Sequence, residues 1–514
     1  MHRRKLPIGI QNFREIREED YYYVDKTGFA RHLIEQGKYY FLSRPRRFGK
    51  SLLIDTLAEL FAGNEPLFQG LAIHPHWDWT IRYPVIRFSF GGGVVHSRSE
   101  LDRRILEQLQ RNQRALGLTS TETGIDSAFA ELIRLAHTAT GQRVVVLVDE
   151  YDKPILDNLT DPDIARTLRD GLLNLYSVIK DNDAHVHFAL ITGVSKFSKA
   201  SIFSGFNNLN DITIDARYSA LCGYTEADLD QVFAAELPGL DRDQIRAWYN
   251  GYNWTGEAVY NPFDLLLLFQ KREFRTWWFE TGTPTFLVDL LTQRGFFTPD
   301  LARLRADEAL ISTFDVDTMP AEALLWQTGY LTFTGSRRIG ARLEYTLGYP
   351  NLEVETALND SLAKALIGQP GRASELASRL YDVLVSGDFA ALRAHIVSLF
   401  AAIPHQWHDT HPFTRYEGYY ASVFYSHLAA LGLDLIAEDA TCQGRIDLTL
   451  KFNEQVWLFE FKVVELEPEG RALQQIKDRG YADKYRALGQ PIHLIGIEFS
   501  RERRNLVGFE VESQ

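Results

Sequence analysis

The run Val144 to Val148 reads "VVVLV", five apolar β-formers in a row, with an acid pair, Asp149 and Glu150, directly after it. A strand with one face in water alternates apolar and polar residues, whereas an unbroken apolar strand is buried on both faces. Helices covering both sides of a parallel sheet provide that burial. Neighbouring runs have the same character: "YYFL" (Tyr39 to Leu42), "PVIRFSF" (Pro84 to Phe90) and "HFALIT" (His187 to Thr192). Helical patterns separate them, for example "SRSELDRRILEQLQRNQRAL" from Ser97 to Leu116. The first part of the chain is therefore expected to be a parallel α/β domain.

Asp149 and Glu150 then stand at the carboxyl end of a buried strand, where open α/β sheets bind ligands. Upstream, "FLSRPRRFGKSLLIDTL" sets Gly49, Lys50 and Ser51 between a strand and a helix that runs from Leu52 to Phe61. That is the chemistry of a phosphate-binding loop: a lysine for the β/γ phosphates, a hydroxyl for Mg²⁺, and a helix N-terminus that favours anions. Asp149 is expected to hold the Mg²⁺, usually through its water, and Glu150 to orient the water that attacks the γ-phosphate. An acidic helix cap is the plainer alternative for this pair. Thr192, Ser195 and Lys196, where the fourth strand ends, are candidates to sense the γ-phosphate, and ordinary turn chemistry accounts for them equally well. The full loop pattern asks for glycine where this chain has Arg44.

A second site is written in "GRIDLTLKFNEQVWLFEFK", Gly444 to Lys462. Alternation puts Ile446, Leu448, Leu450 and Phe452 on one face of the first strand and Asp447, Thr449 and Lys451 on the other. Glu460 and Lys462 share a face of the second strand. A two-residue loop at Asn453 and Glu454 pairs Phe452 with Gln455 and so sets Asp447 directly opposite Glu460, with Cβ atoms about 5 Å apart. The loop lacks Asn-Gly, and a four-residue loop would instead pair Asp447 with Lys462. Facing carboxylates repel, and a divalent cation between them reverses that interaction; hard oxygen donors suit Mg²⁺ or Mn²⁺. With an amine beside them, they make a constellation suited to phosphodiester cleavage.

The remaining sequence bounds these readings. At 514 residues, 45% hydrophobic and 24% charged, the chain belongs with ordinary globular proteins of several domains. Boundaries are expected near 1–224, 225–374 and 375–514, the middle part being helical and aromatic. No run reaches the ~18 apolar residues of a spanning helix and no secretory signal opens the chain, so no membrane partner and a cytoplasmic location are expected. Cys222 and Cys442 are the only cysteines, too few for a disulfide framework. A net charge of −13 argues against indiscriminate nucleic-acid binding, though "RPRR" (Arg44 to Arg47) and "RERR" (Arg501 to Arg504) are local basic runs. Histidines at His74 to His76 and His405 to His411 lack a second ligand pair for zinc.

With "YVDKT" (Tyr23 to Thr27), "SRPRRFGKSL" (Ser43 to Leu52), "LVDEYDKPI" (Leu147 to Ile155), "VYNPF" (Val259 to Phe263), "LGYPN" (Leu347 to Asn351) and "GRIDL" followed by "FEFK", the chain resembles the AAA-ATPase-like proteins that carry a C-terminal PD-(D/E)XK nuclease-superfamily domain. The resemblance implies a P-loop NTPase (AAA-like) parallel-sheet domain, a helical lid-like or winged-helix-like region, and a restriction-endonuclease-like α/β domain. It implies ATP and Mg²⁺ as cofactors, with Arg44 a family trait and Arg46 and Arg47 either adding charge to the phosphate cradle or meeting a neighbouring subunit of a homo-oligomer. It maps Asp447 and Glu460 as metal ligands for Mg²⁺ or Mn²⁺ and Lys462 as the catalytic lysine. It adds Glu417 as a further acid and Gln475 and Tyr481 as substrate contacts. Two functions follow as expectations: an ATPase that controls a metal-dependent nuclease acting on nucleic acid, DNA above all, or a nucleotide-controlled binding or signalling module that does not cut.

Overall fold

Strands β1 (Tyr39–Ser43), β2 (Val85–Ser89), β3 (Val144–Asp149), β4 (Val186–Gly193) and β5 (Asn210–Asp211) form one sheet in the order β2-β3-β4-β1-β5. Every pairing in it is parallel. β1 and β3 are buried along their whole length, as unbroken apolar runs require. The order sets β4 between β1 and β3, so the strand that leads into the glycine-lysine loop and the strand that ends in Asp149 each border β4. The first intervening helix opens at Lys50 and runs Lys50–Phe61. The helix expected from Ser97 spans Arg98–Leu116, because Ser97 is its cap and accepts a bond from the Glu100 N–H.

The computed structural model describes residues 3–196, 206, 208–280, 285–312, 315–316, 320–403 and 417–514. It divides into two units, Met1–Trp278 with Ala306–Thr346, and Phe279–Arg305 with Leu347–Gln514. In the first unit the sheet is followed by short helices, Glu226–Val232, Arg242–Tyr249 and Pro262–Lys271, around an aromatic core that includes Tyr249, Tyr260 and Phe269. The helix Ala321–Thr328 and a hairpin of β6 (Thr332–Ile339) and β7 (Arg342–Gly348) come later. No described helix is long and apolar enough to cross a membrane.

The second unit holds β8 (Asp434–Ala440), β9 (Arg445–Phe452), β10 (Gln455–Val464), β11 (Ile492–Ser500) and β12 (Asn505–Ser513), in the order β12-β11-β10-β9-β8. One face packs Leu448, Leu450, Trp457, Phe459, Ile497 and Phe499 against Phe424, Leu428 and other helical residues. The opposite face packs Val456, Leu458 and Leu494 against Ile476, Tyr481 and Tyr485. Ile446 departs from the expected alternation, since it packs on this second face and not with Leu448. The β8–β9 ladder passes from Ile446↔Asp439 to Leu448↔Ala437 and skips Asp447, and Glu438 sits there at a left-handed φ of 48°, so the alternation breaks at that step. Thr449, expected on an open polar face, is fully buried and donates to Asp439.

The β9–β10 register is that of the two-residue loop: Phe452 faces Gln455 and Leu448 faces Phe459. Asn453 and Glu454 both take positive φ, 50° and 56°, as a type I′ turn demands. Asn tolerates this region, whereas glutamate is strained there by about 1 kcal/mol. Glu454→Gly is therefore expected to raise the stability of the second unit by about 0.5–1 kcal/mol in urea unfolding. An unchanged or lowered midpoint would contradict the turn geometry.

Candidate nucleotide and metal sites

The loop between β1 and the Lys50–Phe61 helix is held by side chains that sequence reasoning had left without a role. Arg44 is fully buried, and its guanidinium donates to the carbonyls of Ser43 (2.8 Å), Thr213 (2.9 Å) and Tyr218 (3.0 Å) while lying 4.0 Å over the Trp254 ring. Burial pulls it down to about 10. Arg44 is thus a pillar under the loop and not a phosphate ligand. Phe48 meets Tyr252 and Trp254 edge-on, and Trp278 Nε1 donates to the Arg46 carbonyl at 3.1 Å. The aromatic "YNW" stretch is therefore the bed of this loop. Arg46 is exposed, and its charge acts on the Glu150 carboxylate. Arg47 sits at φ 69° with its guanidinium 4.8 Å over the Phe263 ring.

Gly49 caps the helix at φ 90°, a conformation open to glycine and costly for other residues. Lys50 is 5% exposed, and its Nζ donates to the Arg44 and Pro45 carbonyls, both at 2.8 Å. Burial pulls the ammonium below its ordinary value, and Asp149 acts in the opposite direction. Asp149 accepts from the Thr192 hydroxyl at 2.8 Å, which joins β3 to β4. A cleft of about 490 Å³ is lined by Ser51 and Asp149 with Ser89, Gln108, Arg111 and Asn112.

Glu150 lies in the left-handed region at φ 53°, while the backbone on either side stays tied to the sheet: Phe90 N–H donates to Asp149 O and Tyr151 N–H to Thr192 O. Such strain in a glutamate persists only where the surroundings impose it, and it clusters at functional sites. Burial, then the charge of Asp149, pushes its carboxyl above the usual range. Gly91 leaves room for it, since a Cβ there would stand 2.8 Å from Glu150 Oε2. Of the three residues considered at the end of β4, Thr192 reaches Asp149. Ser195 is engaged by Asp152, which accepts from its N–H (2.6 Å) and its hydroxyl (2.5 Å), and Lys196 pairs with Asp211 at 2.7 Å. Asp152, 1% exposed, was missed in the sequence, although the third acid of "DEYD" was the signal.

In the second unit, Asp447 stands one residue before Leu448, whose pairing with Phe459 is the end of the β9–β10 ladder, and its Oδ2 accepts the Phe461 N–H at 2.7 Å. Glu460 is 1% exposed, on the face of Val456 and Leu458. Its Oε1 accepts from Lys462 Nζ at 3.1 Å and from the Gln475 amide. Its Oε2 is buried without a hydrogen-bond partner. Desolvation first, then the charge of Asp447, hold its carboxyl well above the usual range. A buried orphan oxygen beside a second carboxylate fits a hard divalent cation, and the donors present suit Mg²⁺ or Mn²⁺. No group of three or more metal-ligating side chains occurs among the described residues. Glu417 opens the helix Glu417–Ala429, but its side chain lies outside the described residues, as does the segment His405 to His411.

Gln475 also bonds Tyr481, so both residues expected after the hairpin converge on Glu460. The helix that carries Gln475, Arg471–Asp478, is fixed by a residue that no local pattern singles out. Glu498 of β11, 3% exposed, accepts the backbone N–H groups of Glu469 and Arg471 at 2.6 Å each, with those of Gly470 and Ala472 at 3.1 and 3.3 Å.

The raised carboxyl of Glu460 has a definite sign in stability. The unfolded chain ionises this group above its ordinary value of 4.5 while the fold resists, so the cost is absent below about pH 4.5 and grows as pH rises. Glu460→Gln is expected to be more stable than wild type by about 1–2 kcal/mol at pH 8 in chelator, with the gap closing at pH 4.5, in paired urea titrations. A gap independent of pH would contradict the buried-carboxyl account.

Comparison with known proteins bears on both sites. Residues 7–203 match the family model "Predicted AAA-ATPase", which spans the loop at Lys50 and the acids after β3. Residues 415–509 match "PD-(D/E)XK nuclease superfamily", which spans Asp447, Glu460 and Lys462. Over all 514 residues the chain is 66% identical to an "Uncharacterized protein in vnfD 5'region" of Azotobacter chroococcum mcd 1, covering 100% of both chains. The chain therefore belongs to the family of AAA-ATPase-like proteins that carry a C-terminal PD-(D/E)XK nuclease-superfamily domain.

Proposed function

We propose that the first unit binds and hydrolyses ATP with Mg²⁺, and that the second cleaves phosphodiester bonds of nucleic acid, most of all DNA, under the control of the first. The buried orphan oxygen of Glu460 opposite Asp447 carries the second half of this reading, because a fold gains nothing from such an oxygen without a cation or a proton to meet it.

In the first unit, Lys50 releases the Arg44 and Pro45 carbonyls and turns to the β/γ phosphates, while the N–H groups at Gly49 and the helix start face the anion. Ser51 and Asp149 would hold Mg²⁺, with the Thr192 hydroxyl fixing the Asp149 carboxylate. Glu150, turned out by its left-handed backbone and buried enough to be basic, orients the attacking water. Arg46 adds positive charge at the loop.

In the second unit, Asp447 and Glu460 would hold Mg²⁺ or Mn²⁺, with Glu417 a candidate third acid. When bound, that ion supplies charge neutralisation and activation of water. Lys462 keeps its ammonium beside Glu460 and stabilises the negative charge that develops on the phosphate. Gln475 holds the Glu460 carboxylate in place, and Tyr481 holds Gln475.

Lys50→Ala is expected to lower ATP affinity by tenfold or more, whereas Glu150→Gln keeps affinity within about threefold and slows hydrolysis by about a hundredfold or more. Fluorescent-nucleotide binding and phosphate release separate the two, and equal loss of affinity in both variants contradicts the roles. At the second site, Asp447→Ala and Lys462→Ala are each expected to reduce cleavage by at least about a hundredfold, with Mn²⁺ affinity lost only in the first. Cleavage that survives in both variants removes these residues from the reaction.

A further inference from the structure

The β6–β7 hairpin is unlike the rest of the first unit. Thr332 and Phe333 are buried, but every residue from Thr334 to Arg342 is exposed. Strands exposed on both faces add little to a core, so their composition reports on something outside it. The stretch carries Arg337, Arg338 and Arg342 and no acid, in a chain of net charge −13. Gly340, at φ 60°, opens a two-residue turn with Ala341. That turn sets Ile339 opposite Arg342 and Arg337 opposite Glu344, with which Arg337 pairs at 2.6 Å. Period two then places Arg337, Ile339 and Arg342 on one face near the tip. Ile339 is 49% exposed between these arginines.

The helix that leads into the hairpin touches the loop before Lys50 at one point and the segment beyond β4 at another, both within the first unit. Gly329, at φ 92°, ends the Ala321–Thr328 helix, and a Cβ on it would stand 2.6 Å from Pro45 of the phosphate-binding loop. Gln327, 2% exposed, accepts the Lys196 N–H at 2.8 Å, just beyond β4, and donates to the Ile311 carbonyl at 3.0 Å. The helix that carries both contacts buries six residues, including Leu324, Leu325 and Trp326, and is packed on the rest of the unit.

We propose that the Arg337–Arg342 hairpin is a contact for duplex DNA whose grip responds to the nucleotide through Gly329 and Gln327. Arginines neutralise phosphates, and the narrow minor groove of A·T-rich DNA draws them in. An exposed isoleucine flanked by arginines is the kind of apolar wedge that enters between base steps from that groove. Duplex RNA offers a wide, shallow minor groove and suits the tip less well. The nucleotide dependence rests on ATP binding by the first unit, and nothing in it requires the second unit to cut.

The test uses the full chain carrying Glu460→Ala, so that no substrate is consumed, and fluorescence anisotropy with a labelled A·T-rich duplex. Reversing Arg337, Arg338 and Arg342 to glutamate is expected to weaken binding about tenfold or more and to reduce the salt slope by roughly two to three. Ile339→Ser should weaken binding several-fold with the salt slope unchanged. A non-hydrolysable ATP analogue should change duplex affinity about threefold or more with the hairpin intact and leave the reversed variant unaffected. Unchanged affinity on charge reversal, or equal binding of duplex RNA or anionic vesicles, overturns the proposal. An analogue that binds, as fluorescent-nucleotide displacement reports, without altering duplex affinity overturns the nucleotide link; one that does not bind instead refutes the ATP site on which that link rests. Matching thermal midpoints keep misfolding out of the comparison.

Discussion

Two carboxylates facing each other across buried strands repel, and in low dielectric they repel strongly. In the second unit burial, then the charge of Asp447, raises the Glu460 carboxyl well above its ordinary value, so that a proton relieves this repulsion. The Asn453–Glu454 turn, with a glutamate in the left-handed region, fixes a register that runs to Leu448↔Phe459, one step short of Asp447 and Glu460, and the charge of Asp447 acts on the Glu460 carboxyl. Lys462 and Gln475 satisfy one oxygen of Glu460 and leave the other without a partner. Glu498 gathers four backbone N–H groups to seat the helix that delivers Gln475. A core that needed only stability would fill the position with an apolar side chain, as Leu458 does two residues earlier on the same face.

The first unit solves a related problem with a different device. A phosphate-binding loop needs its backbone N–H groups turned toward an anion, and glycines usually permit the required turns. Here a buried guanidinium takes three carbonyl groups from beneath and stacks on Trp254, while Phe48 wedges between aromatic rings. The loop is held in shape by packing and not by freedom of φ, except at Arg47 and Gly49. Lys50 is bonded to the Arg44 and Pro45 carbonyls of this loop, and Gly329, at the end of the helix before the basic hairpin, packs on Pro45.

Much of this was legible in the sequence because it rests on periodicity. Apolar runs pointed to β1 to β4, although β2 alternates and exposes Arg87 and Ser89, and of the two pairings left open for β9 and β10 the structure has that of the two-residue loop. What was hidden rests on contacts between residues far apart in the chain. Nothing near Arg44 announces that Thr213, Tyr218 and Trp254 complete its environment. Glu498 lies inside an apolar strand and meets backbone groups some 27 residues away, which no local pattern encodes. Ile446 was assigned to the wrong face because strict alternation was assumed through a position where the ladder skips a residue. The strain at Glu150 follows from the sheet's grip on both its neighbours and has no signature in composition.

We propose above that Asp447 and Glu460, whose carboxyl burial raises, together would seat a divalent cation. Calorimetric titration of Mn²⁺ into the nucleotide-free chain near pH 7, repeated in two buffers of different ionisation enthalpy, addresses it directly. The account predicts saturable binding with release of up to about one proton per ion, because a cation displaces the proton that burial keeps on Glu460. The proton release should vanish in Glu460→Gln. Absence of binding, or binding with the same enthalpy in both buffers, would contradict it.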